Sequence, residues 1–357
     1  MRVKRSFVDN QSTLDAKFAA QKLAFGPLMF QAARVLRDTG ALLFLKECGQ
    51  EGCTPEELAE HTELNLYASR VLLEAALAAE LVVLQESKFA LTKLGYLVLM
   101  DPMTRVNMDF VHDVCYRAFF HLAEAIETGK PAGLRELGDW ETIYEGLSEL
   151  PEQIQKSWFA FDHYYSDGVF GQVLPIVFDR KPERILDVGG NTGKWAIQCC
   201  NFDSEVQVTV VDLPGQLNKA LENAGAEGFG ARVAGCAMNV LAADAQLPRG
   251  HDAIWMSQFL DCFSEEQIVH ILRQAAQAMT SEARLYVLET FWDRQRFDAA
   301  RFSVINTSLY FTAVANGNSK MYHSDRMKAC LDQAGLVVEQ EVDEVGISHS
   351  LLVARLA

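Results

Sequence analysis

The chain has 357 residues, enough for two domains of ordinary size, and its 49% hydrophobic and 22% charged content excludes a disordered polymer. A net charge of −16 argues against nucleic acid as the main partner, because such binding depends on basic patches. No uncharged apolar run approaches the length of a membrane span, and eight cysteines without a C-x-x-C pair read as reduced cytosolic thiols rather than a metal site.

The first ten residues begin basic, with no apolar core behind them, and do not read as a signal peptide. Residues 14–48 read as helices broken at Gly26-Pro27. Thr54-Pro-Glu-Glu57 places Thr at an N-cap, Pro at the first helical position and Glu at the third, a strong helix start. A second helix is expected over about Leu66–Ala79, then a small hairpin from Leu81–Leu84 and Phe89–Thr92. Helix, helix and hairpin make a winged-helix pattern. Glu74 and Glu80 against a single Arg70 on its second helix favour a protein interface over DNA. Residues 103–180 read as mainly helical and rich in aromatics, among them Tyr116, Tyr144, Phe161 and Tyr165. From about Pro182 strands and helices alternate, as in a doubly wound α/β sheet.

The densest signal is Ile185-Leu-Asp-Val-Gly-Gly-Asn-Thr-Gly193, followed by Val208-Thr-Val-Val-Asp-Leu-Pro214. It reads as a strand, a tight glycine loop, a helix from Lys194 to Cys200 and a second strand capped by an acid. Gly189, Gly190 and Gly193 let the backbone approach a ligand closely. Asp212 stands about 20 residues past the loop, where an acid can accept both hydroxyls of a ribose. The spacing is not G-x-G-x-x-G, and Gly193-Lys194 is followed by Trp195 rather than by Ser or Thr, so neither a dinucleotide nor a P-loop fingerprint is present. An acid opening the loop, Asp187, suits a cationic ligand. S-adenosylmethionine, which has an ammonium, a sulfonium and no phosphate, fits these features.

On these blocks the chain resembles the class I S-adenosylmethionine-dependent methyltransferases, and more closely the plant-type and bacterial small-molecule O-methyltransferases. The likeness runs through Leu186-Asp-Val-Gly-Gly190, Val211-Asp-Leu-Pro214, Asp252-Ala-Ile-Trp-Met-Ser257, Phe263-Ser-Glu-Glu266, Tyr286-Val-Leu-Glu289 and Asp332-Gln-Ala-Gly-Leu336. It implies an α/β fold: a Rossmann-like doubly wound methyltransferase sheet behind an N-terminal, mainly helical winged-helix dimerisation domain. The divisions expected are 1–105 for dimerisation, 106–180 for a helical acceptor-pocket region and 181–357 for the cofactor domain. The implied protein is a cytoplasmic homodimer that methylates a small aromatic acceptor, with no metal; the rival is a non-catalytic, ligand-sensing or regulatory protein that keeps the cofactor fold but lost the base. Gly189, Gly190, Gly193, Asp212 and Leu213 would hold the cofactor, joined by Met238 and Asn239 at the adenine and by Ser257 and Gln258 at the end of the fourth strand. Tyr116, Phe161, Tyr165 and Asn306 would line the acceptor.

The family's general-base histidine, in a His-Asp-Trp segment, is missing. Aligning Phe263-Ser-Glu-Glu266 with the family's Trp-Ser-Asp-Glu puts Asp261 at the histidine position and Cys262 beside it. The family's acid after its fifth strand survives as Glu289. Three readings stand: Asp261 replaces the base; His163 supplies it from elsewhere; or the nucleophile is a ring carbon ortho to a phenol, and orientation does most of the work. Asp261, Glu289 and His163 are therefore the candidate catalytic residues. A competing structural role for Asp261 is a helix cap, since Ser264-Glu-Glu-Gln267 looks like a capping box.

Overall fold

The computed structural model describes residues 11–166 and 168–357. The N-terminus read as lacking a signal peptide lies outside them, as does Asp167. The chain forms two compact units, Met1–Asp109 and Phe110–Ala357.

The first unit packs α1 (Thr13–Ala24), α2 (Gly26–Asp38), α3 (Ala41–Cys48), α4 (Pro55–His61), α5 (Leu66–Ala78), the hairpin β1 (Val82–Gln85) and β2 (Lys88–Leu91), α6 (Lys93–Met100) and the start of α7 (Pro102–Phe110). Two breaks, not one, interrupt the helices of residues 14–48. The chain turns at Phe25, and again at Gly40, whose φ of +79° is costly for any residue with a Cβ. The capping box at Thr54 is formed: Glu57 N donates to the Thr54 hydroxyl at 3.2 Å and Thr54 N to the Glu57 carboxylate at 2.7 Å. Leu36, Leu42, Leu45, Leu58 and Leu73 are fully buried and form this unit's core. Helix α1 buries no residue, and Leu23 and Leu28 are 81% and 63% exposed.

The second unit begins with helices α8 (Leu122–Thr128), α9 (Ile143–Gly146), α10 (Glu152–Ser166) and α11 (Phe170–Phe178). The strands β3 (Arg184–Val188), β4 (Gln207–Asp212), β5 (Val233–Ala237), β6 (Ala253–Ser257), β7 (Arg284–Glu289), β8 (Leu336–Val345) and β9 (His349–Leu356) form one sheet in the order β5-β4-β3-β6-β7-β9-β8. The first five are mutually parallel; β9 runs antiparallel to β7 and β8. Helices α12 (Lys194–Phe202), α13 (Pro214–Ala226), α14 (Glu265–Ala278), α15 (Asp298–Tyr310) and α16 (Ser324–Gln333) complete the unit.

Alternation along the strands divides the apolar residues between two faces. Leu186, Val211, Ile254, Met256 and Val287 belong to one core; Ile185, Val208, Val210, Trp255 and Leu288 belong to the other. Trp255 stacks on Trp195 of α12 with ring centroids 3.9 Å apart. Strand order reverses at β3, with β4 on one side and β6 on the other, and ligands bind in such sheets at the carboxyl ends beside that switch point. A third, aromatic core gathers Phe110, Trp158, Tyr310 and Phe311 from helices outside the sheet. Among the described residues no helix is long and apolar enough to cross a membrane.

Candidate active site

The glycine loop leaves β3 at the switch point. Gly189 has φ +76°, and a Cβ there would run into the Phe259 ring. A Cβ on Gly190 would lie 2.7 Å from both Asp187 Oδ2 and Val210 Cγ1. The loop therefore forms a cradle that only glycine leaves open. Gly193 N donates to Gly190 O at 2.8 Å, closing the turn in front of α12. Asp187 is buried beneath the loop and its Oδ2 has no hydrogen-bond partner. Burial, with the repulsion of Asp212 added, pushes its carboxyl up to about 8. A buried acid in that condition calls for a cation or a proton. The ammonium of S-adenosylmethionine answers it, so the residues present fit that cofactor.

Asp212 ends β4 and is bound back to the loop: Asn191 N donates to its Oδ2 at 2.8 Å and Leu213 N to its Oδ1 at 2.7 Å. Burial raises its carboxyl, and the two amides oppose that shift. Met238 N donates to Asp212 O at 2.9 Å, which carries the chain past β5. There Met238 and Asn239 line a cavity of about 440 Å³ with Ala242, Asp244 and Gln246. Ser257 ends β6, and Gln258 follows with φ +47°, a strained value for a residue with a side chain.

Beyond that strained residue the chain turns over the end of β7. Glu289 is buried, and its Oε1 accepts from Phe259 N at 3.0 Å and Leu260 N at 2.8 Å, while Oε2 has no partner. Burial, reinforced by the charge of Asp261, pushes its carboxyl well above the usual carboxylate range. Asp261 sits in the short turn Leu260–Cys262, only 7% exposed, and burial pushes it up to about 6. The cap of α14 is Ser264, which accepts from Gln267 N at 3.3 Å and completes a capping box; Asp261 takes no part in it.

The structure thus brings Asp261 and Glu289 together. His163 lies on α10 with its ring against Phe159 at 5.8 Å, and Lys194 Nζ, at the first residue of α12, donates to its Nδ1 at 3.1 Å. That contact ties His163 to the end of the glycine loop.

Of the acceptor candidates, Phe161 stacks on Phe110 at 4.0 Å, and Tyr165 meets Phe161 edge-on at 5.2 Å. Tyr310 meets the other edge of Phe110 at 5.0 Å and accepts from Trp158 Nε1 at 2.7 Å. Tyr116 is tilted against His112 with ring centroids 6.4 Å apart. Asn306 is exposed, and its amide donates to Phe302 O at 2.8 Å.

Three further residues stand around Asp261: Tyr144 and Cys262, to which the sequence assigned no role, and Asn316, which it did not single out. The buried Tyr144 hydroxyl faces the Cys262 thiol, Tyr310 and Asp261, and burial drives its ionisation far up. Cys262 Sγ lies 3.5 Å from Asp261 Oδ1. Asn316 Nδ2 donates to Cys262 O at 2.5 Å, which pins the turn from the other side. Nothing distinguishes Tyr144 from its aromatic neighbours in the sequence.

Known proteins agree with this architecture. A Dimerisation2-like domain matches residues 17–89, and an O-methyltransferase domain matches residues 169–336. The L-tyrosine C(3)-methyltransferase of Streptomyces lavendulae is 20% identical over 342 residues, covering 93% of this chain and 91% of that protein. The 3-hydroxy-5-methyl-1-naphthoate 3-O-methyltransferase of Streptomyces sahachiroi is 27% identical over 254 residues, 70% of this chain and 71% of that one. Among solved structures, the mitomycin 7-O-methyltransferase MmcR superposes with a TM-score of 0.71 at 20% identity, covering 96% of this chain and 98% of that one. An O-methyltransferase from neocarzinostatin biosynthesis, solved with S-adenosylmethionine and 2-hydroxy-5-methyl naphthoic acid, superposes at 0.66 with 19% identity, covering 93% and 96%. The chain belongs to the S-adenosylmethionine-dependent O-methyltransferase family, with a dimerisation domain ahead of its methyltransferase domain.

Proposed function

We propose that the protein methylates a phenolic oxygen of a small aromatic metabolite, with Asp261 as the base. The observation that carries this reading is the paired burial of Asp261 and Glu289 at the carboxyl ends of β6 and β7, beside an aromatic cluster. When bound, S-adenosylmethionine supplies a sulfonium-activated methyl carbon open to in-line displacement. The glycine loop would follow its amino-acid part, Asp187 would face the ammonium, and Asp212 would accept the ribose hydroxyls. The cavity at Met238 and Asn239 would take the adenine.

Proton removal falls to Asp261. A phenol ionises near 10 and an ordinary carboxylate near 4. Burial brings Asp261 up to about 6 and narrows that gap by about two units. Glu289, shifted in the same direction by burial and by the charge of Asp261, holds its proton the more readily and leaves Asp261 as the member of the pair that ionises first. Its two amide contacts hold the turn that presents Asp261. Phe161, Tyr165 and Tyr310 would orient the ring and exclude water, which is where most of the rate of such a displacement originates.

A second reading, methylation of a ring carbon ortho to the phenol, draws on the missing histidine. It draws also on a relative, named for tyrosine C(3) methylation, that matches most of this chain. In both readings the chain works as a cytoplasmic homodimer. Residues 1–105, with their winged-helix order, pair two copies; 106–180 wall the acceptor; 181–357 hold the cofactor. The deciding experiment is a screen of phenolic acceptors with labelled S-adenosylmethionine, followed by NMR location of the new methyl. Transfer to oxygen supports the first reading, transfer to carbon the second, and no transfer to any phenol overturns both.

A further inference from the structure

A second cavity, of about 360 Å³, opens past the carboxyl end of β7, three residues beyond Glu289. Its apolar wall is Trp292, Ile305 and Met321; its polar wall is Lys320, His323 and Arg326. Trp292 and Met321 also pack into the aromatic cluster of Phe110, Phe161, Tyr310 and Cys262. The cavity therefore shares Trp292 and Met321 with the cluster that holds the groups proposed to orient the acceptor ring.

Its charge is out of character with the rest of the chain, which carries −16 overall. Arg326 is neutralised by Glu265, which it grips through two nitrogens, and His323 lies 3.8 Å from Asp293. Lys320 is different: among the described residues it makes no ion pair, although its charge reaches Glu265 at longer range. It is exposed, and its Nζ is 5.6 Å from the centroid of the Tyr322 ring. A cation without an ion-pair partner that lines a cavity together with an indole and two apolar side chains matches an anion attached to a flat carbon frame. In a strongly acidic protein such a local cation also offsets the repulsion that an anionic ligand meets on approach.

We propose that this cavity receives a carboxylate carried by the aromatic acceptor, with Lys320 as its counter-ion, and that the acceptor class is therefore hydroxylated aryl carboxylic acids. The inference rests on the acceptor reading above. Lys320 contacts neither the glycine loop nor Asp261, so its replacement leaves the cofactor site and the base in place.

Equilibrium binding tests it without turnover. A hydroxynaphthoate and its methyl ester are titrated into the protein saturated with S-adenosylhomocysteine, with calorimetry or ligand fluorescence as the readout. The acid should bind about tenfold more tightly than the ester, the scale of one charge-assisted contact. Lys320→Met should erase that preference while ester affinity stays unchanged, and Lys320→Arg should keep it. Equal binding of acid and ester by the unaltered protein, binding of neither, or a preference that survives Lys320→Met overturns the proposal. The acceptor reading fails on a different result, the absence of methyl transfer to any phenol, so the two are separable.

Discussion

Glu289 Oε1 accepts the amide of Leu260 at 2.8 Å, so the acid that ends β7 holds the turn that carries Asp261. The same oxygen accepts the amide of Phe259 at 3.0 Å, and the Phe259 ring lies against Gly189 of the cofactor loop. One buried carboxyl thus connects the two halves of the site.

Because burial favours the neutral form of Glu289, its amide isostere should be nearly silent. Glu289→Gln keeps an oxygen acceptor for both amides, and turnover is expected to fall only a few-fold. Glu289→Ala leaves two buried N–H groups without partners, and stability should drop by about 2–5 kcal/mol. Urea denaturation of both variants checks this. Equal destabilisation by Gln and Ala would show that the ionised form is what the fold needs.

Asp187 predicts a proton balance. Its carboxyl is raised to about 8, so at pH 7 the ligand-free protein holds a proton there. A cationic cofactor favours the ionised form, and binding should release a proton. Calorimetry in buffers of different ionisation enthalpy counts it, and Asp187→Asn should abolish the release. The sign for stability follows from the same shift. At this carboxyl the folded chain binds more protons than the unfolded one between about pH 4 and 8, so its contribution to stability without cofactor is full below pH 4 and declines as pH rises through that window. Asp187→Asn should flatten that decline. Stability that rises between pH 6 and 8 in the unaltered protein, and not in the variant, contradicts the burial argument.

Asp212 carries the ribose assignment. Asp212→Ala should weaken S-adenosylmethionine binding by about 1.5–3 kcal/mol, the range for lost hydrogen bonds to a charged group. Its carboxylate already accepts the Asn191 and Leu213 amides, so the loop itself should loosen in the variant. An unchanged affinity by calorimetry removes Asp212 from the cofactor site.

These contacts also mark what the sequence could disclose. The glycine loop, Asp212 and both capping boxes are local patterns whose partners lie within a few residues or at a fixed βα spacing, and such patterns can be read directly. The break at Gly40 is marked in the sequence by Asp38-Thr39-Gly40, where the buried positions change phase from Ala33 and Leu36 to Ala41, Leu42 and Leu45, a signal the reading of one continuous segment did not use. Cys262 is the chain neighbour of Asp261, but Tyr144 and Asn316 come from distant segments, and only the folded chain puts a phenol and a carboxamide around that turn. Alignment with a family motif found Asp261, but it gave no hint that His163 would be bound to Lys194 beside the glycine loop.

The exposed apolar residues of the first unit predict assembly. Leu14, Phe18, Leu23, Phe25 and Leu28 all lie exposed on α1 or at the start of α2. Light scattering at micromolar concentration should return a dimer, with an interface above about 2,000 Å². Leu23→Glu combined with Leu28→Glu should shift it toward monomer. A monomeric unaltered protein rejects the dimer.

Asp261 gives the sharpest test. If it is the base, Asp261→Asn should cut turnover roughly 100-fold or more, the low end of a general-base contribution. Turnover of the unaltered enzyme should rise with pH through about 6, because only the ionised carboxylate takes a proton. That limb should vanish in the variant. If a ring carbon is the nucleophile and the phenol ionises unaided, the loss should be smaller and should recover at high pH. Asp261→His adds the converse test: restoring the family's base should keep or raise transfer to oxygen. A variant with unaltered turnover at every pH would leave Asp261 no role as base. His163 is then the next residue to replace, since it is the remaining imidazole candidate and is already fixed by Lys194 at the end of the cofactor loop.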